Sequence, residues 1–484
     1  MEESPFATLL KPDLDAILER CAPLWEKLRH GRLFLTGCSG FFGAWLLASL
    51  VRANRDLGLQ CKAVILSRNP THFLNDFPEL ANDPHLEFLT GDVRHFTYPK
   101  GSFTHAIHAA TDTSQTADKN PLLLLDTLLE GTKRVLQFCG TAGVKDFLFI
   151  SSGAVYGSQA GGAGGLVENC LYAPPPEDGR ASYGIGKRMA EHYCTLYGQR
   201  YNMAVKVARC FAFVGPFMPM QGHFAIGNFI SDALFADKIT IAGDGSPVRT
   251  YLYAGDLVVW LWHILLQGQG AYNVGSDEAI TIRQLAELTV RQIAPDKEVC
   301  ILGKGSARNV YLPDIQKARS ELGLDVFSDL STAIGKTAQW YSQWAKREAV
   351  ETKVVAPKEK LLTLVVDIDG VVATLTPGND YALAEPQPVT IEAINRLYRA
   401  GHRVILFTAR GSATGLDWQE VTRQQMQRWG VCYHELRFGK PAADYYVDDR
   451  LISPAALAEL AGLGSSFSHS ADPLVVSVKE KDSP

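Results

Sequence analysis

Tyr183 and Lys187 stand four residues apart in SYGIGKRMAE and so share one helical face, while Ser152 closes the apolar run DFLFISS. Tyrosine is a poor base at its ordinary pKa of about 10. An ammonium one turn away stabilises the phenolate, so the spacing predicts a Tyr183 lowered in pKa that exchanges a proton with a substrate hydroxyl, with Ser152 bonded to the same oxygen. Each residue alone is an ordinary helix-surface or strand-end residue; a glycine loop upstream raises the chemical reading. There the strand RLFLT runs into Gly37, Cys38, Ser39, Gly40, Phe41, Phe42 and Gly43, followed by the apolar stretch AWLLASLV. Glycines at these spacings permit a tight turn, close approach of backbone to a pyrophosphate and tight helix–strand packing, with a helix N-terminus facing the phosphates. The following strand ends at Ser67 and Arg68, where an acidic residue would bind the ribose 2′-hydroxyl of NAD(H). Arg68 suits a 2′-phosphate, which favours NADP(H).

A second constellation lies nearer the C-terminus. Asp367 and Asp369 follow the strand LLTLVV, and alternation along an extended chain sends both to one side. Two such carboxylates can share Mg²⁺, which screens their repulsion, and one can attack phosphorus to form an aspartyl-phosphate. Thr408 ends HRVILF and can donate to phosphate oxygens, Lys440 in FGKP brings a positive charge, and Asp448 and Asp449 after YYV are further candidate metal ligands. Each of the four segments ends a strand, where open α/β sheets bind ligands.

The elements that must position these groups follow from hydrophobic patterning. Residues 1–30 carry apolar positions at helical spacing (Leu14, Ile17, Leu18, Cys21, Leu24, Leu28), an N-terminal helical extension. From Arg32 to about Thr250, short β-branched runs alternate with longer helical patterns, which predicts an α/β domain with a doubly wound parallel sheet over residues 31–345. The charged stretch KREAVETKVVAPKEK (346–360) has no apolar face and is expected to be a linker. The strand–helix rhythm restarts over 361–465 as a second, smaller α/β domain without room for a cap, and 466–484 reads as a tail.

Bulk properties agree with two folded units. A chain of 484 residues exceeds what one core usually organises, and 46% apolar residues provide for both. A net charge of −5 with no basic cluster argues against nucleic acid or an anionic membrane as partner. The nine cysteines lie singly, as expected of reduced thiols. The longest strongly apolar run, Leu257–Leu266, is too short to span a bilayer, and the acidic N-terminus lacks a signal-peptide pattern; a cytoplasmic location is the expectation.

From Arg32 to Gln343 the chain resembles the extended short-chain dehydrogenase/reductases that act on nucleotide sugars, on the ordered motifs TGCSGFFG, Gly91-Asp92-Val93, His108-Ala109-Ala110, SSGAVYG (151–157) and Tyr183-Gly184-Ile185-Gly186-Lys187. The resemblance implies a Rossmann-type domain with a small substrate lobe. It implies a cofactor held by Gly37, Ser39, Gly40, Phe41, Phe42, Gly43, Ser67, Arg68, Asp92, Val93, Ala109, Ala110, Tyr183 and Lys187, and hydride transfer served by Ser152, Tyr183 and Lys187. Arg249 is implied to grip the diphosphate of a nucleotide sugar, against the alternative of an ion pair with Asp256; Thr111, Asn228 and His223 are candidate substrate contacts. Gly153 and Ala154 stand where dehydratases and decarboxylases of that family place acidic residues, which favours 4-epimerisation or 4-ketoreduction over decarboxylation. Ala212 and Leu128 stand where asparagine is frequent. A homodimer is implied by the same likeness. Over Leu361 to Ala458 the chain resembles the haloacid-dehalogenase-like phosphatases. That implies Asp367 as nucleophile, Asp369 as general acid/base, Thr408, Ala409 and Lys440 on the phosphate, Mg²⁺ on Asp367, Asp369, Asp448 and Asp449, and a phosphorylated sugar as substrate. A scaffold that senses a dinucleotide with idle sites is the non-enzymatic alternative.

Overall fold

The structure is a computed structural model; it describes residues 5–111, 120–157, 159–160, 164–220, 224–303, 309–354, 362–376, 380–412, 415–440, 457 and 461. The chain divides into two compact units, Met1–Lys346 and Arg347–Pro484.

In the first unit seven strands form one sheet: β1 (Arg32–Thr36), β2 (Lys62–Ser67), β3 (Leu86–Thr90), β4 (His105–His108), β5 (Asp146–Ser152), β6 (Ala204–Cys210) and β7 (Gly270–Val274). Their order is β7-β6-β5-β4-β1-β2-β3 and every pairing is parallel. The strand order reverses direction at β1, so β1 and its neighbour β4 diverge in their connections and leave a crevice at their C-terminal ends. In register, Thr36 at the end of β1 lies between Leu66 of β2 and His108 of β4. The patterning predicts five of these strands; β3 and β7 escape it because LEFLT is only half-buried and GAYNV opens on an exposed glycine.

Helices cover both faces, as a sheet buried on both sides requires. In chain order the ones used below are α1 (Pro5–Arg20), α2 (Phe41–Leu57), α3 (Pro121–Thr141), α4 (Ser182–Tyr201), α5 (Ala254–Gln267) and α6 (Leu330–Val354). The apolar run 257–266 forms most of α5, whose residues are buried almost throughout. No helix among the described residues is long and apolar enough to cross a membrane. The N-terminal extension folds against α2 and α5: Ile17, Cys21, Leu24 and Leu28 are buried, and Trp25 meets Trp262 edge-on at 5.3 Å. Asp13 anchors it, accepting from Tyr253 Oη at 2.8 Å and pairing with Lys336 of α6 at 2.5 Å. Short strands in smaller sheets, including Val248–Arg249 and Asn309–Val310, build the lobe beside the sheet's C-terminal edge.

The stretch expected to be a linker begins as helix. Helix α6 runs on to Val354, because KREAVETK are competent helix formers and nothing before Pro357 interrupts them; lack of an apolar face does not end a helix. The unit boundary falls inside this helix.

In the second unit three parallel strands, β8 (Thr363–Val366), β9 (Arg403–Phe407) and β10 (Glu435–Arg437), lie in that order, with helices α7 (Pro388–Arg399) and α8 (Gln419–Arg428). Its own core centres on Val366, Ile368, Ile394, Leu397, Leu406 and Met426. The segment YYVDDR and the expected tail lie outside the described residues.

Candidate active sites

The glycine loop is shaped by contact as well as by turn. Gly37 has φ +73°, and a Cβ there would stand 2.4 Å from the Ala109 carbonyl carbon, so β1 and β4 close on each other just above Thr36. A Cβ on Gly43 would stand 2.0 Å from Cys38 Cα, which brings the first turn of α2 directly onto the loop. At Gly40 the nearest obstruction is the Gly37 carbonyl oxygen at 3.8 Å, and no side chain caps the helix there. An open glycine at an uncapped helix N-terminus suits an anion such as a diphosphate.

Around this loop, Ser67 Oγ lies 3.2 Å from Ser39 Oγ, and Arg68 is exposed at the end of β2. Phe41 and Phe42 open α2 half-buried, Phe42 packing edge-on against Phe213 at 5.2 Å. Asp92 is held by Arg94 through a bidentate pair at 2.9 Å, which pulls its carboxyl down to about 2; Val93 is buried against Gly131. Ala109 donates to the Thr36 carbonyl at 3.0 Å and Ala110 to its hydroxyl at 3.3 Å. His108 bridges the Thr36 and Thr132 hydroxyls at 2.7 and 3.0 Å, and burial pushes its imidazole down to about 3, so it is neutral here.

The proton-transfer trio converges at the end of β5. Ser152 closes the strand, its hydroxyl accepts from the Ala154 N–H at 3.1 Å, and it bears on Tyr183 in the first turn of α4. Lys187, buried one turn later, donates to the Ile150 carbonyl at 2.8 Å and to Thr111 Oγ1 at 2.7 Å. Its ammonium lies 5.9 Å from the centre of the Tyr183 ring. The expected lowering of Tyr183 is not what the structure displays: burial pushes the phenol up to about 12, and the hydrogen bond from Ser152 opposes this only in part. Burial also pulls Lys187 down to about 8, which weakens the charge that would assist the phenolate. Without a ligand, desolvation outweighs the pairwise attraction.

The lobe supplies what patterning did not. Tyr311 fills the space beside Gly153, its hydroxyl 2.5 Å from where a Cβ there would stand, and lies on Phe211 with ring centres 4.6 Å apart. Its signal in the sequence is slight, a single tyrosine after a two-residue strand. Ser151 donates to Glu191 of α4 at 2.5 Å, and Glu191 pairs with Arg209 of β6 at 2.7 Å, bracing the strand end from below. Leu128 is buried beside the Tyr183 ring, an apolar wall where asparagine was the alternative. Arg249 does not pair with Asp256. Its Nη1 donates to the Val248 carbonyl at 2.8 Å and to Asn309, and its charge bears on Tyr311, whereas Asp256 accepts from the Phe327 and Ser328 backbone at 3.0 and 2.8 Å. Asn228 is half-buried in the helix Ala225–Phe235; His223 lies outside the described residues.

In the second unit Asp367 and Asp369 lie just past β8, and they face one region: Lys440 pairs with Asp367, Thr408 reaches Asp369, and the Lys440 N–H donates to the Thr408 carbonyl at 3.1 Å. Lys440 pairs with Asp367, whose other oxygen accepts from the Ile368 N–H at 2.8 Å. Thr408, fully buried beyond β9, reaches Asp369 at 3.4 Å, and Ala409 separates it from Arg410. Arg410 escaped the sequence reading. Its guanidinium grips Asp369 at 2.7 and 3.0 Å, is held in turn by Gln425 Oε1 at 2.5 Å, and is 3% exposed, so it is a wall of this site and not a surface charge. Repulsion between the two aspartates is thus offset by one cation each. Carboxylate oxygens at a strand end are the donors Mg²⁺ prefers, and Asp367 and Asp369 can supply two of its six. Asp448 and Asp449 lie outside the described residues.

Comparison with known proteins places the first unit. The NAD dependent epimerase/dehydratase family matches residues 33–275. The chain is 28% identical over 342 residues to UDP-glucuronic acid decarboxylase 1 of Danio rerio, covering 69% of this chain and 78% of that protein. It is 26% identical over 295 residues to UDP-glucuronic acid decarboxylase 6 of Arabidopsis thaliana, covering 60% and 83%. Among solved structures, UDP-glucose 4-epimerase from Thermotoga maritima with UDP-glucose superposes with a TM-score of 0.56 at 20% identity, covering 65% of this chain and 99% of that one. UDP-glucuronic acid 4-epimerase from Bacillus cereus in complex with UDP-glucuronic acid and NAD gives the same score, identity and coverage. The structural likenesses speak for the fold, and the family match, which takes in half the chain and both the Gly37 turn and the Tyr183 helix, makes this chain a member of the NAD dependent epimerase/dehydratase family.

Proposed function

We propose that the first unit is an NAD(P)-dependent enzyme that moves hydride at C4 of a nucleotide sugar, as a 4-epimerase or 4-ketoreductase. The observation that carries this is the meeting of Ser152, Tyr183 and Lys187 beyond the same sheet edge as the open Gly40 turn. The dinucleotide, when bound, supplies the hydride acceptor or donor. Gly37, Gly40 and the N-terminus of α2 hold its diphosphate; Tyr183 takes or returns the sugar hydroxyl proton; Ser152 steadies the same oxygen; Lys187, fixed by Ile150 and Thr111, presents its charge toward the phenol. Arg249 faces the sugar-nucleotide side. Arg68 supports NADP(H), while the Bacillus cereus neighbour was seen with NAD.

A second reading is decarboxylation of a nucleotide uronate, favoured by the UDP-glucuronic acid decarboxylases among the relatives. Oxidation at C4 makes the uronate a β-keto acid, which loses CO₂ readily, so the same trio would begin either reaction. Gly153 and Ala154 offer no acidic side chain for the remainder. Incubating the protein with UDP-glucuronic acid or UDP-glucose and either dinucleotide, with absorbance at 340 nm and product mass, separates them. Appearance of the C4 epimer at unchanged mass, or loss of two hydrogens with a matching rise at 340 nm, supports the first reading; loss of 44 Da, the mass of CO₂, sinks it in favour of the second.

For the second unit we propose a Mg²⁺-dependent phosphatase acting on a phosphorylated sugar, with Asp367 attacking phosphorus, Thr408 and Lys440 holding the phosphoryl oxygens and Asp369 moving the proton. Bound Mg²⁺ would draw charge from those oxygens. Removing the guanidinium that holds Asp369, by Arg410→Met, should lower turnover of p-nitrophenyl phosphate about a hundredfold. Unchanged turnover in a folded Arg410→Met variant would count against Asp369 as the proton carrier.

A further inference from the structure

We propose that Thr111 is a positioning residue of the hydride-transfer site: its hydroxyl accepts a hydrogen bond from the buried Lys187 ammonium and so keeps that charge in place beside Tyr183. This rests on the roles given above to Tyr183 and Lys187, and deepens them.

The hydrogen bonds fix the direction. A threonine hydroxyl has one proton and two lone pairs. Thr111 Oγ1 lies 2.9 Å from the Ala110 carbonyl oxygen, which can only accept, so the hydroxyl proton is committed there. Toward Lys187 Nζ, 2.7 Å away, the oxygen is therefore the acceptor and the lysine the donor. The Ile150 carbonyl takes a second N–H at 2.8 Å. An ammonium has three, so one remains, with the Tyr183 ring centre 5.9 Å from the nitrogen. Thr111 follows β4 and Ile150 belongs to β5, so two adjacent strands hold the lysine between them.

Burial gives these bonds their weight. Lys187 is 2% exposed, and a buried ammonium without acceptors gives up its proton. The Phe149 ring, 4.9 Å from Nζ, offers only its face, and Leu128, buried beside Tyr183, offers no polar atom. Of the two oxygens bonded to Nζ, that of Thr111 alone can be removed by substitution. Other titratable groups near the ammonium are Tyr183, Glu191 and Cys194 on α4 itself, His108 on β4 and Cys210 on β6; α3 and β5 present Leu128 and Phe149, which do not titrate. Glu191 is bound to Arg209 at 2.7 Å, and His108 is neutral. Burial pushes the Cys210 thiol and the Tyr183 phenol up to about 12 and raises Cys194 as well. Lys187 is thus the group of this cluster that changes charge near pH 8, and loss of a hydrogen bond to its charged form moves that change to lower pH.

The test sets Thr111→Val, which deletes the oxygen, beside Thr111→Ser, which keeps it. Both are made in the full chain and given UDP-glucuronic acid and UDP-glucose, each with NAD and NADP, followed at 340 nm and by product analysis. Thr111→Val should lower kcat by about 10- to 100-fold with KM unchanged, because a hydrogen bond to a charged group is lost, and should move the alkaline limb of the rate against pH to lower pH. Thr111→Ser should stay within about twofold of wild type and leave the limb in place. Urea denaturation provides a readout without sugar or dinucleotide. The unfolded chain keeps its lysine proton up to about pH 10.5, so stability rises with pH wherever folded Lys187 is already neutral, and that rise should begin at lower pH in Thr111→Val than in wild type. Thr111→Ala serves on the same terms if Thr111→Val does not fold. A raised KM at unchanged kcat would make Thr111 a substrate contact. That result, an unmoved alkaline limb, a Thr111→Ser variant as poor as Thr111→Val, or a stability curve parallel to wild type across pH overturns the proposal. If Tyr183→Phe is inactive while Thr111→Val is normal, the positioning role fails and the Tyr183 reading stands. If Tyr183→Phe retains wild-type turnover, or the wild type turns over neither sugar, both fall.

Discussion

Lys187 illustrates how desolvation competes with charge at a single residue. Buried beneath the Tyr183 ring, it is pulled from its ordinary value to about 8. Between pH 8 and the unfolded value of about 10.5, the unfolded chain holds a proton that the folded one has shed, so stability rises with pH across that window. Below it the cost of burying the ammonium is fully present, of order 3 kcal/mol. Lys187→Met removes that cost and also removes the bonds to Ile150 and Thr111, which do not change sign with pH. The variant should therefore compare more favourably with wild type at pH 7 than at pH 10, by urea denaturation monitored at both. Equal differences at the two pH values would mean that the ammonium is not desolvated. The same residue is needed for turnover, so any stability gained would come with activity lost.

Helix α2 is the element on which the cofactor reading turns. Its first turn touches the loop so closely that Gly43→Ala would force Cβ into the Cys38 backbone, 2.0 Å from Cα. Backbone cannot swing aside as a flexible side chain can, so the helix must retreat. We expect a loss of about 1–3 kcal/mol, read as a lower Tm, together with weakened dinucleotide binding in a fluorescence titration. Gly40→Ala has room at its Cβ, 3.8 Å from the nearest obstruction, and should spare Tm while still crowding the diphosphate. If the two variants behave alike in both measurements, the division between packing glycine and binding glycine is wrong. In the second unit, β8 and β9 play the corresponding part: parallel pairing of Val366 with Leu406 brings Asp367, Asp369, Thr408 and Arg410 out at the same end.

For the molecule as a whole, each unit carries its own sheet, its own core and its own candidate site. Two sites so built should fail separately. Tyr183→Phe should lower sugar-nucleotide turnover by about 10² to 10⁴ and leave p-nitrophenyl phosphate turnover with Mg²⁺ intact, and Asp367→Asn should do the reverse. Loss of both activities from either change in a protein with unaltered circular dichroism would show that the units are coupled.

The doubly wound class, the Gly37–Gly43 turn, the Tyr183–Lys187 pair and the aspartate pair were legible in the sequence alone, because each depends on periodicity or on short spacing, whereas Ser152 joined the pair only through the order of motifs along the chain. Chain-local pattern also foretold the helical N-terminus. What the tertiary structure decided depends on residues distant in sequence sharing a volume. Tyr311 fills the notch that Gly153 leaves, Arg410 grips Asp369 only because two strands pair in register, and Arg249 turns to Asn309 instead of Asp256. The pKa of Tyr183 went the other way from its spacing for the same reason. Attraction between neighbours can be read from an i, i+4 pair, but desolvation is set by everything that folds around it.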